Sequence, residues 1–224
     1  MEAAMARYTL ILGTKNWSSW SLRPYLALCA TGERFDEVVV QLDRPETRAE
    51  ILKYSPSAKV PALRIEENGR SYTVFDSLAI CETLAERHPQ ARLWPSGAEA
   101  RAQARSISAV MHSSFPDLRA ALPMDFARTL PTPALGDAVK SQISEITSYW
   151  QDVLDRSGEG RFLFGDFSIA DCMYAPVVSR FRTYGIALPD SLKAYCTRIC
   201  ELPGMRNWEE DSRAEIAAGK AERH

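Results

Sequence analysis

Four places in the chain combine residue types and spacing that suit chemistry on a small polar ligand. Ser18 and Ser19 fall in a polar turn just ahead of an apolar helical pattern that begins at Trp20. A helix N-terminus presents free N–H groups and the positive end of the peptide dipole, so it favours an anion. A serine there caps the helix or donates to a bound thiolate, and two adjacent serines can fill both roles. A free thiol of pKa about 8.5 is only a few per cent ionised at neutral pH; lowering it by about 2 units takes roughly 2.7 kcal/mol of preferential thiolate stabilisation. One hydroxyl hydrogen bond plus a helix terminus is of that order.

The second place is Val60-Pro61. Proline at a strand start is ordinary. In the cis form it would turn the Val60 backbone outward, towards a peptide-like ligand. The third is Asp76-Ser77, again before an apolar helix. It reads as a cap, and also as a carboxylate site at a helix N-terminus with an aspartate that can pair an ammonium. Carboxylate plus ammonium is what an α-amino acid end presents. The fourth, Ser168-Ile-Ala-Asp171, is a capping box whose role is structural.

The elements that must position these residues follow from periodicity. Tyr8–Leu12 reads as a buried strand, and a helix from Trp20 shows Leu22, Leu26, Cys29 and Ala30 on one face until Gly32 ends it. Glu37–Leu42 is a second strand, which makes a parallel pair with a right-handed crossover. Arg44–Ser57 is irregular, with room for one helical turn. Pro61–Ile65 and Tyr72–Phe75 flank Asn68-Gly69, a tight-hairpin signal, and Ser77–Arg87 returns to helix. Residues 89–97 read as a linker, and no strand pattern follows them. Helical stripes run through Ile107–Leu118, interrupted at Pro116, and through Val139–Val153; a proline-rich break separates them at Pro123–Pro133. Further helices are expected from Ser168, around 190–201 and around 204–217. The expected fold class is α/β followed by all-α, divided into 1–88, a linker at 89–97, and an all-helical domain at 98–224.

Bulk composition excludes several function classes. The 224 residues are 46% hydrophobic and 25% charged, with a formal net charge of −2, so no global field draws the chain to nucleic acid or anionic lipid. The opening MEAAMARYTL lacks the pattern of a secretory leader, and no apolar run approaches the ~18 residues of a membrane span. Five cysteines without a C-x-x-C fit a reducing cytoplasm. His88, His112 and His224 form no zinc pattern, and no nucleotide motif occurs. No metal and no tightly bound cofactor is expected.

In their order and spacing, SSWSLRPYLAL, SAKVPAL, the hairpin, DSLAI and SIAD resemble the cytosolic glutathione transferase family, over Tyr8 to about Trp208. Ser18-Ser19 with Arg23 downstream looks like the serine-type zeta and tau classes. The resemblance implies a thioredoxin-like domain followed by a helical bundle, glutathione as co-substrate and a homodimer. It implies a cis Pro61 with Val60 pairing the cysteinyl unit, Asp76 and Ser77 on the γ-glutamyl end and Lys59 on the glycyl carboxylate. It puts Ser18 at the sulfur, with Ser19 as its stand-in, and a structural capping box at Ser168 and Asp171. It departs from the family at Asp76, where Glu or Gln is common, and at Trp20, where the zeta class has Cys.

A second substrate would lie between the domains. Trp20, Met111, His112, Phe115 and Arg119 are the candidates for its wall, although Met111 and Phe115 read first as bundle core. The expected activity is conjugation of glutathione to small hydrophobic electrophiles. A glutathione-dependent isomerase or dehalogenase, or a non-catalytic binding protein, are the alternatives.

Overall fold

The computed structural model describes residues 6–158 and 161–222. The first five residues and His224 lie outside that range. Four strands form one sheet in the order β2-β1-β3-β4. They are β1 (Arg7–Gly13), β2 (Phe35–Val40), β3 (Ala62–Glu67) and β4 (Arg70–Phe75). β1 pairs β2 in parallel and β3 antiparallel. β2 begins and ends two residues earlier than the sequence pattern predicts. It is an edge strand that pairs only β1, in the register Tyr8↔Phe35 to Gly13↔Val40, so its ladder stops where β1 stops. Leu42 N–H then turns to Thr14 Oγ1 at 2.9 Å. Asn68 and Gly69 join β3 to β4 with φ of 50° and 72°, the left-handed pair that a two-residue hairpin needs.

Helix α1 (Ser19–Thr31) crosses from β1 to β2 and ends at Gly32, whose φ is 75°. α2 (Thr47–Leu52) is the short turn of helix in the irregular stretch, and α3 (Ser77–Arg87) follows β4. A 3-10 turn at Pro89–Ala91 begins the linker. The rest is helical: α4 (Ala98–Ser113), α5 (Pro116–Ala121), α6 (Asp137–Ser157), α7 (Ile169–Thr183), α8 (Asp190–Glu201) and α9 (Pro203–Ala217). At Pro116 the chain breaks rather than kinks. Phe115 takes φ 67°, and Pro116 starts α5 at its first position, where the missing N–H costs nothing.

α7 is the hub of the helical part, with 14 of its 15 residues buried. It packs on α1, α4 and α8. Trp150 of α6 meets Tyr174, Phe181 and Tyr195 edge-on at 5.7, 5.7 and 5.2 Å. The box at the head of α7 is closed on both sides. Buried Asp171 accepts from Ser168 N–H (2.9 Å), Ser168 Oγ (3.0 Å), Leu163 N–H (3.1 Å) and Tyr195 OH (3.2 Å). Burial pushes its carboxyl from 3.8 up to about 6, against the pull of those bonds.

Asp171→Ala is therefore expected to cost about 3 kcal/mol or more, because several buried donors lose their acceptor. The folded state holds the Asp171 proton to higher pH than the unfolded state does. Its contribution is full below 3.8 and declines as pH rises through about 6. Urea melts across that window should show the gap between wild type and Asp171→Ala narrowing with pH; a widening gap would contradict this assignment.

Candidate active site

The turn between β1 and α1 is built before its serines can act. Trp17 N–H and Ser18 N–H bond Thr14 O at 3.0 and 2.9 Å. The helical part clamps it from outside. Asn16 donates to Asp125 Oδ1 and accepts from Ala127 N–H. Glu215 of α9 accepts from Lys15 N–H and Asn16 N–H, and Trp208 Nε1 donates to Lys15 O. The break at Pro123–Phe126 thus serves as a clamp, with Met124 and Phe126 buried.

Ser18 occupies the N-cap of α1 without capping it through its side chain. Its hydroxyl donates instead to Ser21 Oγ at 2.7 Å, and Ser21 Oγ also accepts from Gly13 N–H at 3.1 Å. Ser18 and Ser19 are nearly buried, and neither lines the adjacent cavity.

That cavity, of about 560 Å³, brings together the other elements read from sequence. Lys59, Val60 and Pro61 form one side, and the Val60-Pro61 bond is cis. Ser57, which sequence reasoning missed, also lines this side and bonds both backbone groups of Lys59 at 3.2 Å. Lys59 is exposed and has no ion-pair partner among the described residues. Phe75, Asp76 and Ser77 line it from the end of β4 and the start of α3, beside Val60-Pro61. Asp76 Oδ1 caps α3 by accepting from Leu78 N–H (2.9 Å) and Ala79 N–H (3.2 Å). Ser77 Oγ is buried with no partner among the described residues, which makes it a free hydroxyl at a helix N-terminus.

Trp20 and His112 close the end towards the helical part. His112 Nε2 stands 3.1 Å from Asp76 Oδ2, so α4 is tied to the cap of α3. The His112 ring also meets Trp20 edge-on at 5.2 Å. Met111 and Phe115 do not reach this wall: at 1% and 2% exposure they belong to the core, Met111 on the buried stripe of α4 with Ala104 and Ile107. Arg119 does not line the cavity either; it lies over the Trp20 ring at 5.0 Å, and Arg23 lies over that ring at 4.2 Å. Arg23 is fully buried, and desolvation aided by Arg119 pushes its guanidinium down to about 9. It stays charged at neutral pH. The signal for it was there: one arginine inside the apolar run SLRPYLAL.

A second cavity, of about 480 Å³, lies between β2 and α9. Its charges, Lys220 aside, are already used. Lys15 Nζ sits 2.5 Å from both Glu37 and Asp211, and Glu215 holds the turn. No described group of His, Cys, Asp and Glu could hold a metal ion, and all five cysteines are free. No described helix is long and apolar enough to cross a membrane.

With this geometry in place, comparison with known proteins is decisive. The glutathione S-transferase N-terminal domain family matches residues 17–87, and the glutathione S-transferase C-terminal domain family matches residues 133–211. The chain belongs to the glutathione transferase family. It is 27% identical over 173 residues to a probable maleylacetoacetate isomerase of Caenorhabditis elegans, covering 76% of this chain and 78% of that protein. It is 28% identical over 176 residues to maleylacetoacetate isomerase of Rattus norvegicus, covering 76% and 77%. A glutathione transferase homologue from Burkholderia gl BGR1, solved with bound glutathione, shares the fold at a TM-score of 0.70 and 24% identity, covering 93% of this chain and 98% of that one.

Asp76 has φ 81° and ψ 133°, a left-handed value that a Cβ disfavours. Its two cap bonds and His112 hold it there. In thermal or urea melts, Asp76→Ala is expected to cost about 2 kcal/mol, and Asp76→Gly about 1 kcal/mol less than that. Equal stability of the two variants would contradict the backbone argument.

Proposed function

We propose that the cavity binds glutathione and that the chain is an enzyme that activates the thiol and conjugates it to small electrophiles. The observation that carries this reading is the arrangement of complementary groups around one cavity. Ser77 Oγ and the α3 N-terminus suit the γ-glutamyl carboxylate, and Asp76 suits its ammonium. The Val60 backbone suits the central peptide, and Lys59, beyond Val60, suits the glycyl carboxylate. On this reading the sulfur lies towards Trp20 and the head of α1.

Ser18 is the hydroxyl assigned to the sulfur. Its hydroxyl donates to Ser21 Oγ. On thiolate binding it rotates to donate to sulfur, while the α1 N-terminus adds its dipole. Ser19 is a positioned reserve. No proton transfer to Ser18 is needed: the thiol proton leaves to solvent, and the hydroxyl stabilises the anion that remains.

Isomerisation of a cis enone is the second reading, favoured by the two relatives named as maleylacetoacetate isomerases. It uses the same thiolate, which adds, allows rotation and leaves. We place the chain in the cytoplasm as a homodimer. Half-exposed Tyr72 and Phe75 on edge strand β4, one on each face of the sheet, leave apolar surface for a second copy. We place the domain boundary in the linker 89–97.

The ultraviolet absorbance of bound thiolate, followed against pH, tests the assignment. Wild type should hold the glutathione thiol about 2 units below its solution value, and Ser18→Ala should return about 1 unit or more of that shift, with kcat near neutral pH falling about tenfold or more. An unshifted thiol in the wild-type complex would overturn activation by this site.

A further inference from the structure

Lys15 and Asn16, in the turn ahead of Ser18, find the partners of all four of their backbone polar groups in the helical part of the chain. Glu215 Oε1 accepts from Lys15 N–H at 2.8 Å, and Glu215 Oε2 accepts from Asn16 N–H at 2.9 Å. Trp208 Nε1 donates to Lys15 O at 2.9 Å, and Phe126 N–H donates to Asn16 O at 3.0 Å. The two residues are 3% and 0% exposed, so water is no substitute for any of these partners.

One face of α9 serves this turn. Trp208, Asp211 and Glu215 stand at i, i+3 and i+7 on that helix, and Asp211 reaches the Lys15 Nζ at 2.5 Å. The two oxygens of Glu215 hold successive amides, as a backbone nest holds an anion. Burial raises the pKa of the Glu215 carboxyl, against the pull of the two N–H bonds and of Lys15. An apolar contact would dock α9 without that desolvation. What the carboxylate adds is a fixed position for two amides.

That position is passed on to Ser18. Only Trp17 lies between Asn16 and Ser18, and Trp17 N–H and Ser18 N–H both bond Thr14 O. A shift of Lys15 and Asn16 therefore moves Ser18 with them. The Ser18 hydroxyl has to leave Ser21 for the sulfur, and a hydrogen bond weakens steeply with distance and angle. Misplacement of a reacting group by about 1 Å can cost on the order of 100-fold in rate.

We propose that Glu215 is a positioning residue for the thiolate: by holding the Lys15 and Asn16 amides, it fixes the Ser18 hydroxyl at the distance and angle that the sulfur needs. This rests on the reading of Ser18 as the donor to sulfur. Glu215 lines the cavity beside Lys15 and not the one between Val60 and Ser77, so it acts through the turn alone.

The test compares the full chain as wild type, Glu215→Gln, Ser18→Ala and the double variant. Glutamine keeps the shape but turns an N–H donor towards one of the two amides, so it can hold only the other. Two readouts separate positioning from folding. S-methylglutathione has no thiol proton, so its calorimetric affinity reports the Val60 and Ser77 edges; in Glu215→Gln it should stay within about twofold of wild type. Ultraviolet titration of bound glutathione should show the thiol pKa raised by about 0.5–1 unit, with kcat near neutral pH down about three- to tenfold. In the Ser18→Ala background, Glu215→Gln should move the thiol by less than about 0.2 unit, because no hydroxyl is left to position. Asp211→Asn loses an ion pair on the same face of α9 but no backbone bond, and should leave the thiol unmoved. Glu215→Asp keeps the charge with a shorter reach, and should fall between wild type and Glu215→Gln.

A lower Tm for Glu215→Gln with an unmoved thiol makes the clamp a matter of folding alone and overturns the proposal. So does an equal shift in the Ser18→Ala background, a shift as large in Asp211→Asn, or a loss of about tenfold or more in S-methylglutathione affinity. A wild type that fails to bind glutathione, or binds it with an unshifted thiol, overturns the underlying reading instead. Should Glu215→Gln fail to fold, Glu215→Asp with and without Ser18→Ala decides by the same two readouts.

Discussion

Helix α1 is buried on both sides, and the rest of the structure depends on that. One side packs on α3 in the sheet domain and the other on α7 in the helical domain. Ser19, Ser21 and the whole run from Leu22 to Leu28 are buried. An ordinary amphipathic helix leaves one face to water; this one cannot, so the two domains share it as common core. The first turn of α1 is thereby fixed relative to both halves. It is also why a charged residue on it, Arg23, ends up without solvent.

The site inherits its geometry from this sharing. The sheet domain supplies two polar edges, at the cis proline and at the cap of α3, each pinned by local hydrogen bonds. The helical domain supplies His112, the Arg119 that lies over Trp20, and the clamp on the turn before Ser18. Neither half completes the cavity alone. His112 is the visible joint, since it touches the very carboxylate that caps α3. The orphaned Ser77 hydroxyl and the strained Asp76 backbone lie side by side there, as expected where ligand binding, rather than folding, sets the local structure.

Much of this was legible in the residues. The strand–helix–strand unit, the Asn68-Gly69 hairpin and the Ser168–Asp171 box rest on local rules, and all three stand as read. The edges of β2 were not legible, because they depend on where β1 ends, which is a pairing property. The break at Phe115 depended on a single left-handed residue ahead of a new helix, which periodicity cannot see. Ser18's bond to Ser21 was also hidden. The i, i+3 spacing permits it, but nothing in the sequence says that the hydroxyl prefers a neighbouring serine to the backbone.

The central claim is that glutathione occupies the cavity between Val60 and Ser77. Backbone amide NMR on addition of glutathione tests it most directly, because this cavity and the one beside Lys15 have separate reporters. The account predicts saturable shifts at the amides of Val60, Ser77 and Leu78, with those of Gln41 and Ala214 beside the Lys15 cavity unmoved. Shifts centred on Gln41 and Ala214, with Val60 and Ser77 unchanged, would contradict it.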